Sequence, residues 1–98
     1  MVTVDELKDW MMDNGEDVVF DGPYMYNMKQ YNELTKDFSD KLVSKYGEEA
    51  RINDMDDMMN WGIDGNPSPD GVDQDKVQDM LLQCFADMIN KNDLKMNW

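Results

Sequence analysis

The chain has 98 residues and a formal net charge of −13, with 22 acidic residues, 9 basic residues and no histidine. Without histidine, the chain lacks the side chain that most often serves as a general base or a metal ligand. Its single cysteine can form neither an intramolecular disulfide nor a zinc site. We therefore expect no enzymatic activity, no bound metal and no other cofactor.

A chain of this length suits one domain, and an apolar fraction of 41% is too high for a disordered acidic chain. We expect a single helical domain over residues 1–98, with a polar tail over residues 90–98. No apolar run approaches the ~18 residues of a membrane span, and anionic lipid would repel so acidic a surface. Cysteine usage and the lack of a signal-peptide pattern lead us to expect a cytoplasmic protein.

Helical periodicity predicts a first helix that follows a T-x-x-E capping box at Thr3 and Glu6 and ends at Gly15. Its apolar residues recur on one face: Val4, Leu7, Trp10 and Met11. Residues 18–20 are β-branched and aromatic, so we expect a short extended segment there.

The second predicted helix begins at an Asn27-x-x-Gln30 cap and ends at Gly47. Its apolar and aromatic residues form one stripe at helical spacing: Tyr31, Leu34, Phe38, Leu42 and Tyr46. The charges of this helix nearly balance, and Asp37 and Lys41 are spaced for an i,i+4 ion pair. We expect this helix to be scaffold and not part of an acidic surface.

A shorter third helix is expected to be capped by Asn53 and Asp56 and to end at Gly62, before a turn-rich loop. Its apolar residues are Met55, Met58, Met59 and Trp61. The fourth helix should begin after the N-cap Asp73 and bury one face: Val77, Met80, Leu81, Cys84, Phe85 and Met88. The expected fold is all-α, a small bundle of four helices, with Cys84 buried and unreactive.

The loop after the third helix partly matches a calcium-binding frame. Four of its residues fall at the first four ligand positions of an EF-hand: Asp64, Asn66, Ser68 and Asp70. However, Pro69 stands where that frame needs glycine, and Asp75 stands where it needs a bidentate glutamate. We therefore expect no calcium site.

The negative charge is concentrated in two segments. Residues 1–26 contain 7 acidic residues against 1 basic residue, and residues 47–79 contain 10 against 2. Helix N-termini gain from only one or two acidic residues each, so capping does not explain this number. In the first segment, Asp5, Asp9 and Asp13 share one stripe at i, i+4 and i+8, although such like-charge pairs cost about 0.2–0.5 kcal/mol each.

Carboxylates on a rigid helical body can offer Lys and Arg the acceptor chemistry that nucleic-acid phosphates offer. The candidate partner-binding carboxylates are Asp5, Asp9, Asp13, Glu16, Asp17, Glu48, Glu49, Asp54, Asp56, Asp57 and Asp64. Tyr24 and Tyr26 are candidate apolar contacts of the same interface. The predicted function is a non-enzymatic inhibitor that binds a basic nucleic-acid-binding protein and blocks its nucleic-acid site. The chain itself would bind neither nucleic acid nor membrane.

An adaptor is the alternative function. Such a protein would bind its partner through aromatic and methionine residues, of which the chain has 10 and 11, and its acidity would serve solubility.

In size and acidity, the chain resembles the small phage-encoded inhibitors of bacterial defence, the anti-CRISPR and anti-restriction proteins, several of which mimic DNA. The resemblance covers size and composition, and it assigns no role to any single residue. It implies a target class: a DNA-binding defence protein, such as a CRISPR–Cas effector complex, in the cytoplasm of a bacterial host.

Overall fold

A computed structural model of the chain describes residues 2–14, 27–62 and 71–93. Over these residues the chain forms no strand, and its helices are α1 (Val4–Asn14), α2 (Met28–Tyr46), a 3-10 turn (Glu48–Ala50), α3 (Met55–Gly62) and α4 (Gln74–Lys91). The predicted all-α bundle of four helices is confirmed. Several predicted features lie outside the described residues: the cap at Gly15, the extended segment 18–20, the loop 63–70 and residues 94–98.

Helix α4 is the centre of the bundle, because α1, α2 and α3 each pack against it. Its predicted apolar face is buried, with Met80 only half-buried, and three further residues are buried as well: Leu82, Ala86 and Ile89. A helix with neighbours on several sides buries more than a single stripe. The predicted N-cap is confirmed, since the Asp73 carboxylate accepts the N–H groups of Asp75 and Lys76 at 3.0 and 3.4 Å.

Helix α2 forms as its sequence predicts. The Asn27 side chain accepts the N–H of Gln30 at 2.8 Å, and the Gln30 side chain accepts the N–H of Asn27 at 3.0 Å. The predicted stripe is buried at its centre and half-buried at its ends, Tyr31 and Tyr46. The helix ends at Gly47, whose φ of 94° is a left-handed conformation that glycine adopts without strain.

The predicted cap of α3 is wrong by one residue. Asp54, and not Asn53, is the N-cap, because its carboxylate accepts the N–H of Asp57 at 2.9 Å and its carbonyl accepts the N–H of Met58 at 3.2 Å. The Asp57 carboxylate in turn accepts the N–H of Asn53 at 3.3 Å. The acidic residue that reaches back is therefore Asp57, and Asp56 stays exposed.

The predicted Asp37–Lys41 ion pair does not form. The Lys41 ammonium instead lies 3.5 Å from the Cys84 sulfur and 4.0 Å from the Asp87 carboxylate, both on α4. Packing of α2 against α4 offers Lys41 partners across the interface, which the spacing within one helix does not show.

The predicted polar tail begins too early. Helix α4 continues to Lys91, and Asn90 is half-buried. The Asn90 side chain accepts the N–H of Val2 at 2.8 Å and donates to the carbonyl of Val2 at 2.9 Å. Just beyond Val2, the N–H of Glu6 donates to the Thr3 hydroxyl at 3.2 Å, as expected for the start of α1. The end of α4 therefore fixes the start of α1.

The crossing of α3 and α4 leaves no room for a side chain at Gly62. A Cβ atom at Gly62 would overlap the fully buried Leu81, lying 3.1 Å from its Cγ and 3.2 Å from its Cβ as well as against a terminal methyl. We expect Gly62→Ala to lower the free energy of unfolding by about 1–3 kcal/mol, as overpacked cores do. Urea unfolding followed by circular dichroism measures this change. Asn60→Ala, at an exposed position of α3, is the control, and equal stability of the two variants would contradict the close packing.

Candidate functional site

Helix α1 is held to the bundle through one neighbour. Within the described ranges it packs against α4 and against no other helix. The two helices run antiparallel, because Val2 contacts Asn90 near the end of α4 whereas Lys8 contacts Asp79 near its start. Leu7 and Met11 are buried on the packed side of α1. The Lys8–Asp79 ion pair links the solvent-exposed residues of the two helices.

The exposed sides of these two helices carry a row of carboxylates each. Six exposed residues, which we call the α1–α4 acidic face, form the rows: Asp5, Asp9 and Asp13 on α1, and Asp75, Asp79 and Asp87 on α4. A step of four residues rises ~6 Å along a helix, and packed helices lie about 8–10 Å apart. In the α4 row, Gln83 stands at the four-residue position between Asp79 and Asp87, so the row has no carboxylate there. The Gln83 amide donates to the Asp87 carboxylate at 2.9 Å.

Lys8 shows that the two rows share one electrostatic environment. Its ammonium forms an ion pair with Asp79. The hydrogen bond to Asp79 raises the pKa of Lys8, and the negative charges of Asp5 and Asp75 raise it further. A depression of about 380 Å³ between the helices is lined by residues that include Asp5, Asp87 and Asn90. One ammonium thus faces carboxylates from both helices.

Three candidate carboxylates of the second predicted acidic segment already have partners close in sequence: Glu48, Asp54 and Asp57. Glu48 binds Arg51 through two hydrogen bonds of 2.8 and 2.9 Å. This contact lowers the pKa of Glu48 and raises the pKa of Arg51. Asp54 and Asp57 accept backbone N–H groups at the start of α3.

Of the described candidates in that segment, Glu49 and Asp56 alone have neither an ion pair nor a side-chain hydrogen bond. Within the described ranges, α1 packs against neither the 3-10 turn nor α3, where the candidate carboxylates of this segment lie.

The structure therefore changes which acidic residues belong together. It adds Asp75, Asp79 and Asp87 of α4 to the α1 row. In the sequence, Asp75 and Asp79 fall within the second acidic segment and Asp87 falls outside both segments. The packing of α1 against the helix that carries all three cannot be read from one sequence. Five predicted site residues lie outside the described residues: Glu16, Asp17, Tyr24, Tyr26 and Asp64.

The described residues contain no group of three or more acidic or cysteine side chains arranged to hold a metal ion. Among the helices in the described ranges, none combines the length and the apolar character that crossing a bilayer requires. Cys84 is buried as expected, and burial raises the pKa of its thiol, an effect that the nearby Lys41 ammonium partly opposes.

No protein-family model matches this chain, and neither a curated protein nor a solved structure matches it. The functional conclusion therefore depends on the chemistry of the α1–α4 acidic face.

Removing the positive charge of Lys8 should strengthen the interaction of this face with a positively charged surface. Lys8→Gln and Lys29→Gln each lower the net charge by one unit, but Lys29 lies exposed at the start of α2, which carries no residue of the face. We expect Lys8→Gln to elute from an anion exchanger at higher salt than Lys29→Gln at neutral pH, because a charged resin binds the strongest local patch. Equal elution, or later elution of Lys29→Gln, would show that the face does not dominate the surface.

The environment of Cys84 predicts slow thiol chemistry. We expect the thiol to react with an aromatic disulfide reagent far more slowly in the native protein than in urea, because it is buried and its raised pKa keeps it protonated. A thiol pKa raised on folding stabilises the folded state fully below the unfolded pKa. That contribution is lost as the pH rises through the folded pKa, so stability should fall in alkaline solution and fall less in Cys84→Ala. Native labelling at the denatured rate would contradict burial.

Proposed function

We propose that the chain is a non-enzymatic inhibitor that binds a basic, nucleic-acid-binding protein through the α1–α4 acidic face and competes with nucleic acid for it. The observation that carries this proposal is the pair of carboxylate rows on two packed helices, with Lys8 as the cation between them. The rows are exposed, so they are accessible to a partner.

The charge density of the face supports this proposal. One row alone places a carboxylate every ~6 Å, whereas one DNA strand has a phosphate every ~3.4 Å along its axis. Two adjacent rows bring the face close to the density of one strand. Because both rows lie on helices fixed by core packing, a partner need not order them on binding, which lowers the entropic cost of association.

The sign of the charge sets the class of partner. A net charge of −13 repels nucleic acid and anionic lipid, and it accelerates the approach of a positively charged protein surface. Arg and Lys side chains that normally hold phosphates can hold carboxylates instead. The resemblance in size and acidity favours a bacterial defence complex, such as a CRISPR–Cas effector, as the target and the bacterial cytoplasm as the place of action.

An adaptor that binds through apolar contacts is the second candidate. A groove of about 650 Å³ lies between α2 and residues 51–56, and Tyr31, Ile52 and Met28 are among the residues that line it. Met28 is 70% exposed, which is high for an apolar side chain. Binding through this groove would depend weakly on salt, whereas binding through the acidic face would weaken steeply as salt increases.

The test begins with capture of the partner by the immobilised chain from a bacterial lysate, followed by identification and purification. We expect the partner to be a basic protein, and we expect added DNA or RNA to displace it from the chain. Replacing Asp5, Asp9 and Asp13 together with Asn should raise the dissociation constant about tenfold or more and flatten its salt dependence. The helices should remain folded, since the changes are nearly isosteric and relieve repulsion.

The matched control replaces the three acidic residues of α2, which are also exposed: Glu33→Gln with Asp37→Asn and Asp40→Asn. This variant has the same net charge as the α1 variant, so it separates the face from overall charge. Asp54 and Asp57 are unsuitable for such a test because they cap α3. Unchanged affinity of the α1 variant at both low and high salt would contradict the proposal and favour the adaptor.

A further inference from the structure

One large, exposed apolar side chain lies beside the carboxylates of the α1–α4 acidic face. Met12 is 84% exposed, more than the other exposed large apolar residue of the described chain, Met28 at 70%. On α1, Met12 lies one turn from Lys8 and Asp9 and two turns from Asp5, so it stands inside the carboxylate row. The other apolar residues of α1 are buried or half-buried: Val4, Leu7, Trp10 and Met11.

Helix formation does not require methionine at this position. Gln, Glu and Lys have nearly the same helix propensity and would expose no apolar surface. An interface built only from ion pairs would also gain nothing from it. Apolar side chains surrounded by charged groups are typical of interface centres, where one buried anchor contributes more binding energy than the charged rim.

We infer that Met12 is the apolar anchor of the α1–α4 acidic face and that it contacts an aromatic side chain within the partner's basic groove. This inference rests on the proposed function, since the acidic face is what brings a basic groove to Met12. A methionine thioether makes favourable contacts with aromatic rings. A groove that combines Lys and Arg with exposed aromatic rings is the chemistry of single-strand binders, whose rings stack on bases.

A contact between Met12 and an aromatic ring favours single-strand binders over duplex readers as the class of partner. Duplex readers hold phosphates with polar groups and read base edges in the grooves, whereas aromatic rings that stack on unpaired bases are typical of single-strand binders. A protein that binds single-stranded DNA or RNA leaves its aromatic rings exposed when the strand is absent. In our account the carboxylate rows take the place of phosphates, and Met12 takes the place of a stacked base.

Two synthetic peptides serve as probes for this contact. One is arginine-rich with a single tryptophan, and the other has serine in place of that tryptophan. The full-length chain is labelled with ¹³C at its methionine methyl groups, and the Met12 signal is assigned as the one missing from Met12→Leu. We expect the tryptophan peptide to move the Met12 methyl signal upfield through its ring current, and the serine peptide not to do so.

Affinities for the two peptides provide the second readout. We expect the tryptophan peptide to bind the wild type about two- to tenfold more tightly than the serine peptide, the range of a sulfur–aromatic contact. Met12→Gln should abolish this difference, and Met28→Gln should preserve it. Since both side chains are exposed, circular dichroism should show both variants folded.

Each result bears on one of the two proposals. Equal binding of both peptides by the wild type, with no ring-current shift at Met12, would overturn the anchor and leave the acidic face intact. Loss of the difference in Met28→Gln but not in Met12→Gln would also overturn it. If neither peptide bound at low salt, that result would contradict the acidic face itself, and the anchor with it.

Discussion

The packing of α1 against α4 is the contact on which the candidate site depends. It places two rows of like charge on neighbouring helices, and repulsion opposes this arrangement. Burying a side chain such as Leu7 or Met11 contributes roughly 1.5–3 kcal/mol, whereas an exposed like-charge pair costs only a few tenths of a kcal/mol. Apolar burial therefore outweighs the repulsion. Lys8 and Asn90 add directional contacts near the two ends of the interface, so the register of the rows is fixed.

Much of the fold could be predicted because its signals are local. The Asn27–Gln30 capping box, the Asp73 cap and the stop at Gly47 each depend on residues within one turn of the chain. The contacts that could not be predicted join distant residues. Asn90 binds Val2 across 88 positions of sequence, and Ser39 binds the backbone of Ile52 through its hydroxyl at 3.0 and 3.2 Å. Such polar side chains give no periodic signal.

As with the fold, only part of the candidate site could be predicted from the sequence. The sequence predicts that acidic residues are concentrated in two segments, but it does not show which of them are left available to a partner. In the structure, Asp54 and Asp57 accept backbone N–H groups at the start of α3, and Glu48 forms an ion pair with Arg51. The α1 row stays exposed. The α4 row belongs to the same candidate site because α4 packs against α1. Composition thus indicates the chemistry of the surface, and tertiary packing decides which residues can act together.

Carboxylate footprinting of the chain, free and bound to the protein that it captures, tests the central claim most directly. Carbodiimide coupling of an amine marks exposed carboxylates, and mass spectrometry assigns each mark. We expect labelling to fall on complex formation at Asp5, Asp9, Asp75 and Asp79. At Asp37 and Asp40 of α2, we expect labelling to be unchanged. Protection of the α2 carboxylates, with the α1–α4 acidic face still fully labelled, would contradict an interface at that face.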